Sequence, residues 1–242
     1  MSTNPQDGSR TTVVLVHGAF AESASWNGVI RRLQDQGYTA IAAANPLRSV
    51  SGDEEFLASI LESIEGSVVL VGHSYGGSVM SNAALGKDNV KALVFVAAFA
   101  PEEGESIAEL SGRSPGSTLG ETLESVRLSD GTTDLYIRQE MFHQQFAADA
   151  PAEQAALDAV TQRPLRDVAQ NEGAGPPAWK SIPSWFVFGE LDKNIPVAAH
   201  RFMAERAGAR EVVEIEGASH VVGVSHPEEV GDMILRALKA VE

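Results

Sequence analysis

The feature that most constrains this chain is the passage from Ser67–Val71 (SVVLV) into Gly72-His73-Ser74-Tyr75-Gly76-Gly77 and then into the small-residue segment Tyr75–Leu85. A short β-branched run with no polar alternation suits a strand covered on both faces, as in a parallel sheet flanked by helices. A glycine-framed turn between such a strand and a helix holds the chain in a sharp bend. A serine at its apex stands exposed with helical N–H groups beside it, which is an arrangement for nucleophilic chemistry.

The rest of the chain repeats the alternation. Thr11–Val16 (TTVVLV), Tyr38–Ala44 and Val90–Ala97 read as strands. Ser25–Gln36, closed by Gly37, and Asp53–Ile64, closed by Gly66, read as helices with apolar residues on one face. Between Pro101 and Pro177 the pattern changes. No buried strand is evident there, and Gly/Ser/Pro-rich stretches surround helical segments near Leu135–Phe146 and Ala152–Val160. So long a stretch between strands is not one bare loop, and it reads as a helical cap over residues 101–177. Alternation resumes with the strand Ser184–Phe188, the helix Val197–Arg206, the strand Glu211–Ile215 and the helix Pro227–Ala240. The expectation is an α/β fold of about six mainly parallel strands with helices on both faces. Its core comprises residues 11–100 and 178–242, and Met1–Arg10 form a loose tail.

A serine hydroxyl needs a base. Of the six histidines, His17 and His73 sit inside glycine turns and read as structural, while His143 and His200 lie on helical segments and read as solvated or packing residues. His220 follows the last strand directly, at the carboxyl end where parallel sheets place their ligands. His226, before Pro227, is its rival. The acid that orients the base falls to Asp192, just past Ser184–Phe188, with Glu190, Glu102 and Glu103 as rivals. The order Ser74, Asp192, His220 is the serine–acid–histidine order of such sheets. The turn His17-Gly18-Ala19-Phe20 after the first strand is placed to complete an oxyanion hole. The donors expected are the backbone N–H groups of Ala19 and Tyr75, with Phe20 the alternative register. Phe20, Phe99, Met141, Phe142, Phe146, Ile195 and Val221 are candidates for an apolar pocket.

Composition narrows the partners. The 242 residues carry 33 acids against 18 bases, a net charge of −15, which argues against nucleic acid and anionic membrane surfaces. The chain has no cysteine, so disulfides and a thiol nucleophile are excluded. No apolar run approaches the ~20 residues of a membrane span. A cytoplasmic monomer or homodimer acting on a small molecule is expected, with no metal and no organic cofactor.

Across Thr11 to Glu242 the chain resembles the α/β-hydrolase superfamily. The likeness rests on Val13-Leu15-Val16-His17-Gly18-Ala19, the Gly72–Gly77 elbow, Phe95-Val96-Ala97-Ala98-Phe99-Ala100-Pro101, Asp192-Lys193-Asn194-Ile195-Pro196 and Ile215–His220. The Ala-Ala-Phe-x-Pro stretch is similar to the branch holding plant methyl-ester hydrolases, hydroxynitrile lyases and small bacterial esterases. The resemblance implies hydrolysis over lyase chemistry, because the lyases carry Thr in place of Gly18 and Lys in place of Val221. It implies a Ser74–His220–Asp192 triad that cleaves a small, largely apolar carboxylic ester through an acyl-enzyme. The alternatives are lactone or amide hydrolysis, C–C cleavage or perhydrolysis on the same triad, or a weakly catalytic small-molecule sensor. Residues 101–177 match no pattern in that branch, so the resemblance implies no particular ester.

Overall fold

The computed structural model describes residues 11–242; the tail expected over Met1–Arg10 lies outside the described residues. The first half runs β1 (Thr12–Val16), α1 (Asn27–Asp35), β2 (Thr39–Ala43), α2 (Val50–Glu62), β3 (Val68–His73), α3 (Tyr75–Ala83) and β4 (Val90–Val96). Then come α4 (Ile107–Gly112), β5 (Leu123–Arg127), β6 (Thr133–Ile137), α5 (Gln139–Phe146), α6 (Ala152–Thr161), β7 (Leu165–Arg166) and α7 (Asp167–Asn171). The chain closes with β8 (Ser184–Gly189), α8 (Val197–Arg206), β9 (Glu211–Ile215), α9 (Val222–Ser225) and α10 (Pro227–Val241).

Six strands form one parallel sheet in the order β2-β1-β3-β4-β8-β9. The fold is therefore the α/β-hydrolase fold anticipated. The interior strands β1, β3 and β8 are buried at every residue, as their unbroken apolar runs require, whereas the edge strands β2 and β9 alternate toward solvent. From β1 the chain first steps outward to β2 and then returns to the other side of β1 for β3. The strand order reverses at that point, which opens a crevice between the carboxyl ends of β1 and β3. Val16 pairs with Gly72 across it, so the turn after β1 and the turn after β3 face each other.

The helix boundaries move by a few residues. A single 3-10 turn over Ser23–Trp26 precedes α1, and α2 starts at Val50 because the Ser49 hydroxyl caps it, accepting from the Gly52 amide at 3.0 Å.

The stretch between β4 and β8 is mixed, not wholly helical. It contains a three-stranded antiparallel sheet, β5-β6-β7. The helix expected over Leu135–Phe146 begins only at Gln139, since Leu135 to Ile137 belong to β6. The reason is local: Asp130-Gly131, with Gly131 at φ 86°, turns the chain back and pairs Arg127 with Thr133. Among the described residues no helix is long and apolar enough to cross a membrane.

Candidate active site

Ser74 sits between β3 and α3 with φ 52° and ψ −122°, a conformation that costs a non-glycine residue about 1–3 kcal/mol. The surroundings enforce it. The Ser74 amide donates to the Val96 carbonyl at 3.3 Å, and the Ser74 carbonyl accepts from Gly77 at 3.0 Å and Phe99 at 3.1 Å. The neighbouring glycines are needed for close approach: a Cβ on Gly76 would lie 2.5 Å from the Val16 carbonyl oxygen, and one on Gly72 would lie 2.7 Å from that of Gly76. The glycine across the crevice matters as much. A Cβ on Gly18 would fall 2.6 Å from Ser74 Cβ, so that turn can meet the serine only without a side chain.

His220 is fully buried in the loop after β9. Its Nδ1–H donates to Asp192 Oδ2 at 2.6 Å, and its Nε2 has no hydrogen-bond partner among the described residues. His73, at the end of β3, donates from Nε2 to the His220 carbonyl at 3.2 Å, with the two rings 4.8 Å apart. Burial, reinforced by the adjacent His220, pushes His73 down to about 3, so it is a neutral prop.

Asp192 lies in the turn between β8 and α8. Its Oδ1 accepts the Asn194 and Ile195 amides at 2.8 and 3.0 Å. Its Oδ2 accepts His220 and also His200, the latter from Nε2 at 3.0 Å. Burial alone opposes the charge, but His220 and His200 outweigh it and hold the carboxyl below the usual carboxylate range. The rivals lie elsewhere. His226 Nε2 pairs with Asp149 at 3.1 Å, Glu190 accepts from the Gly217 amide at 3.1 Å, and Glu102 pairs with Lys180. Glu103 is an exposed loop residue.

The amides of the two facing turns flank Ser74. Tyr75 opens α3, where the first N–H groups have no intrahelical acceptor. Phe20, with φ 60°, donates its amide to the Arg163 carbonyl at 2.9 Å and so is already committed. Ala19 is the residue of that turn that lines the cavity over Ser74 beside Phe20. The Tyr75 side chain points away from this chemistry, its hydroxyl donating to buried Asp53 at 2.9 Å.

Ser74 and His220 share a cavity of about 330 Å³. Phe20, Phe99, Phe146 and Ile195 line it, together with Ile107, Leu119, Leu123 and Leu165, and among the described residues that line it only His220 and Tyr75 are ionisable, the Tyr75 hydroxyl being bonded to Asp53. Three pocket candidates do not belong to it. Phe142 and Val221 line a separate cleft of about 440 Å³, bordered by Glu22, Arg31 and Asp158; the edge-to-face Phe20–Phe146 pair touches both spaces. Met141 lines neither, because α5 turns about 100° per residue and points Phe142 and Phe146 inward, leaving Met141 to one side. Among the described residues no group of three or more His, Cys, Asp or Glu side chains is placed to hold a metal.

Residues 13–233 match the family described as the alpha/beta hydrolase family. The chain belongs to that family. It is 27% identical to Esterase PIR7B of Oryza sativa subsp. japonica, over 94% of this chain and 96% of that protein. It is 26% identical to an alpha-hydroxynitrile lyase of Arabidopsis thaliana, over 91% and 94%. Its fold superposes on the crystal structure of polyneuridine aldehyde esterase with a TM-score of 0.80 at 21% identity, over 94% and 98% of the two chains.

His200 is the contact that sequence reasoning missed. It reads as a packing residue on a helix, yet it bonds Asp192 from the first turn of α8. Its spacing of eight residues from Asp192 spans a turn and a helix start, and no periodicity flags such a contact.

Proposed function

We propose that the protein is a serine hydrolase that cleaves a small, largely apolar carboxylic ester through an acyl-enzyme intermediate. Ser74 Oγ attacks the ester carbonyl while His220 Nε2 takes its proton. Asp192 holds His220 with Nδ1 protonated, which leaves Nε2 free to act as base, and stabilises the imidazolium that forms. The Ala19 and Tyr75 amides receive the developing oxyanion. The tetrahedral intermediate collapses with loss of the alkoxide, which takes the proton from His220 and leaves as alcohol. Water, deprotonated by His220, then attacks the acyl-serine; on collapse Ser74 Oγ leaves and takes that proton back from His220, which releases the acid and restores the resting enzyme.

The observation that carries this reading is that, among the described residues, His220 Nε2 has no partner and the cavity whose wall His220 shares with Ser74 is lined by no carboxylate, ammonium or guanidinium group. A neutral, apolar substrate suits those walls, and about 330 Å³ suits a modest one. The insertion supplies much of the lining and so acts as the cap that selects the ester. Lyase chemistry is disfavoured because position 18 has no room for a side chain beside Ser74, and Val221 faces the other cleft.

The test is covalent labelling with a fluorophosphonate and turnover of short-chain aryl esters. The parent is expected to label and to turn over, and Ser74→Ala to do neither. Equal turnover in Ser74→Ala would overturn the proposal.

A further inference from the structure

Asp192 carries two imidazoles on one oxygen. His220 and His200 both donate to Oδ2, at 2.6 and 3.0 Å, while two backbone amides occupy Oδ1. All three side chains are buried, and the His200 ring is stacked on Phe188 with centroids 4.7 Å apart and planes 9° from parallel. An ionised carboxylate only accepts, so His200 must carry its proton on Nε2. Its Nδ1 has no partner among the described residues, and burial keeps the ring neutral.

Resting on the esterase reading above, we infer that His200 is a positioning residue for the base: it fixes Asp192 Oδ2 and draws off part of the charge that His220 would otherwise face alone. Two consequences follow. Oδ2 cannot rotate away from His220 without breaking the His200 bond. Sharing the oxygen also weakens its pull on the His220 proton, so the imidazolium formed in the attack gives its proton up more readily to the leaving alkoxide. The ionisable groups facing this pair are few. His220 meets Asp192 from the β8–α8 turn and His73 from the end of β3; His200 meets Asp192 and His220, with Glu214 of β9 nearby.

The experiment is the pH dependence of kcat/KM on a neutral aryl ester for the parent, His200→Phe and His200→Gln. Phenylalanine keeps a ring against Phe188 and removes the donor; glutamine keeps an N–H. In His200→Phe the undivided charge of Asp192 holds the proton on the base more firmly. The acid limb is expected to rise by about half to one pH unit, with kcat lower by about 10-fold. His200→Gln is expected to keep the parent's limb. An unmoved or lowered limb in His200→Phe, or an equal shift in both variants, would overturn the inference and leave His200 as packing. Should His200→Phe fail to fold, nitrogen-15 NMR of the parent's histidines decides: a His200 proton on Nε2 supports the inference and a proton on Nδ1 overturns it. Ser74→Ala and His220→Ala run alongside. Turnover equal to the parent's in either overturns the esterase reading itself, whereas inactivated controls with an unmoved His200→Phe limb overturn only the role given to His200.

Discussion

His73 makes the stability of this protein depend on pH in a way that can be worked out. In the unfolded chain an imidazole titrates near 6.5. In the folded protein His73 is 5% exposed, packed edge-on to Trp26 and against His220, and burial pushes it down to about 3. Between pH 8 and pH 5 the unfolded state therefore takes up a proton at this position and the native state does not. Stability must fall as pH falls, and it is fully present only above the unfolded value. At pH 5 the unfolded imidazole lies about 1.5 units below its titration point, so at about 1.36 kcal/mol per unit the loss from His73 is about 2 kcal/mol. His17 and His200 are driven in the same direction by burial and add to the slope. The net charge of −15 works against them, since protonating surface carboxylates relieves repulsion. A comparison of variants removes that background. His73→Gln keeps an N–H for the His220 carbonyl but does not titrate. Urea unfolding at pH 8 and pH 5 is expected to show a drop in the parent that exceeds the drop in His73→Gln by about 2 kcal/mol, or about 1 M in midpoint at an m-value of about 2 kcal/mol/M. The same pH dependence in both proteins would refute the reasoning.

Two further substitutions probe the elbow. Gly18→Ala places a methyl group 2.6 Å from Ser74 Cβ and 2.8 Å from the His73 carbonyl oxygen. It is expected to cost about 1–3 kcal/mol in urea unfolding and about 100-fold in kcat by displacing the serine. Tyr75→Phe removes the 2.9 Å donor to Asp53, whose carboxyl burial already pushes upward. Its unfolding free energy is expected to fall by about 1–3 kcal/mol, and an unchanged midpoint would show that the Arg48 and Ser49 amides, which also donate to Asp53, satisfy that carboxyl without it.

What could be read from the sequence was what repeats or what sits beside a break. The parallel core was legible because buried strands must be apolar throughout, and Val68–Val71 and Val13–Val16 are. The elbow was legible because close backbone approach admits only glycine at positions 72 and 76, and that leaves a visible spacing. The positions of Asp192 and His220 just past strands are legible in sequence, whereas their 2.6 Å contact depends on how the loops after β8 and β9 fold against each other. β6 was hidden because Thr133–Ile137 is only partly covered and runs on into a helix through Arg138, so the two periodicities blur. The hairpin signal, Asp130-Gly131 between β5 and β6, is present, but the flanking Leu123–Arg127 is largely exposed and carries no apolar alternation that would mark it as a strand. Met141, Phe142 and Val221 fall outside the cavity over Ser74 because adjacency in sequence to a pocket residue does not fix which way a neighbouring side chain turns.

The stretch between β4 and β8 also ties down loops of the candidate site. The turn after β1, the turn between β8 and α8 and the loop after β9 are each tied to it, and most of the ties end on backbone atoms. The turn bearing Ala19 is held by the Phe20 amide on the Arg163 carbonyl. The acid's turn is held by the Thr118 amide and the Gln145 side chain on the Lys193 carbonyl, both at 3.0 Å, and by the Ser111 and Ser117 hydroxyls on the Asn194 carbonyl at 2.9 and 3.0 Å. The base's loop is held by Asp149, which accepts from the Ser219 hydroxyl next to His220. A carbonyl accepts equally from a serine, a glutamine or a main-chain amide, so the ties constrain position far more than residue type. Side chains that line the cavity can therefore vary while these ties keep the Asp192 turn and the His220 loop in place. Gln145 is where the two roles meet. Its amide also donates to Asn194 Oδ1 at 3.1 Å, and the Asn194 amide holds Asp192 Oδ1 at 2.8 Å, so a change at Gln145 reaches the acid through a single residue.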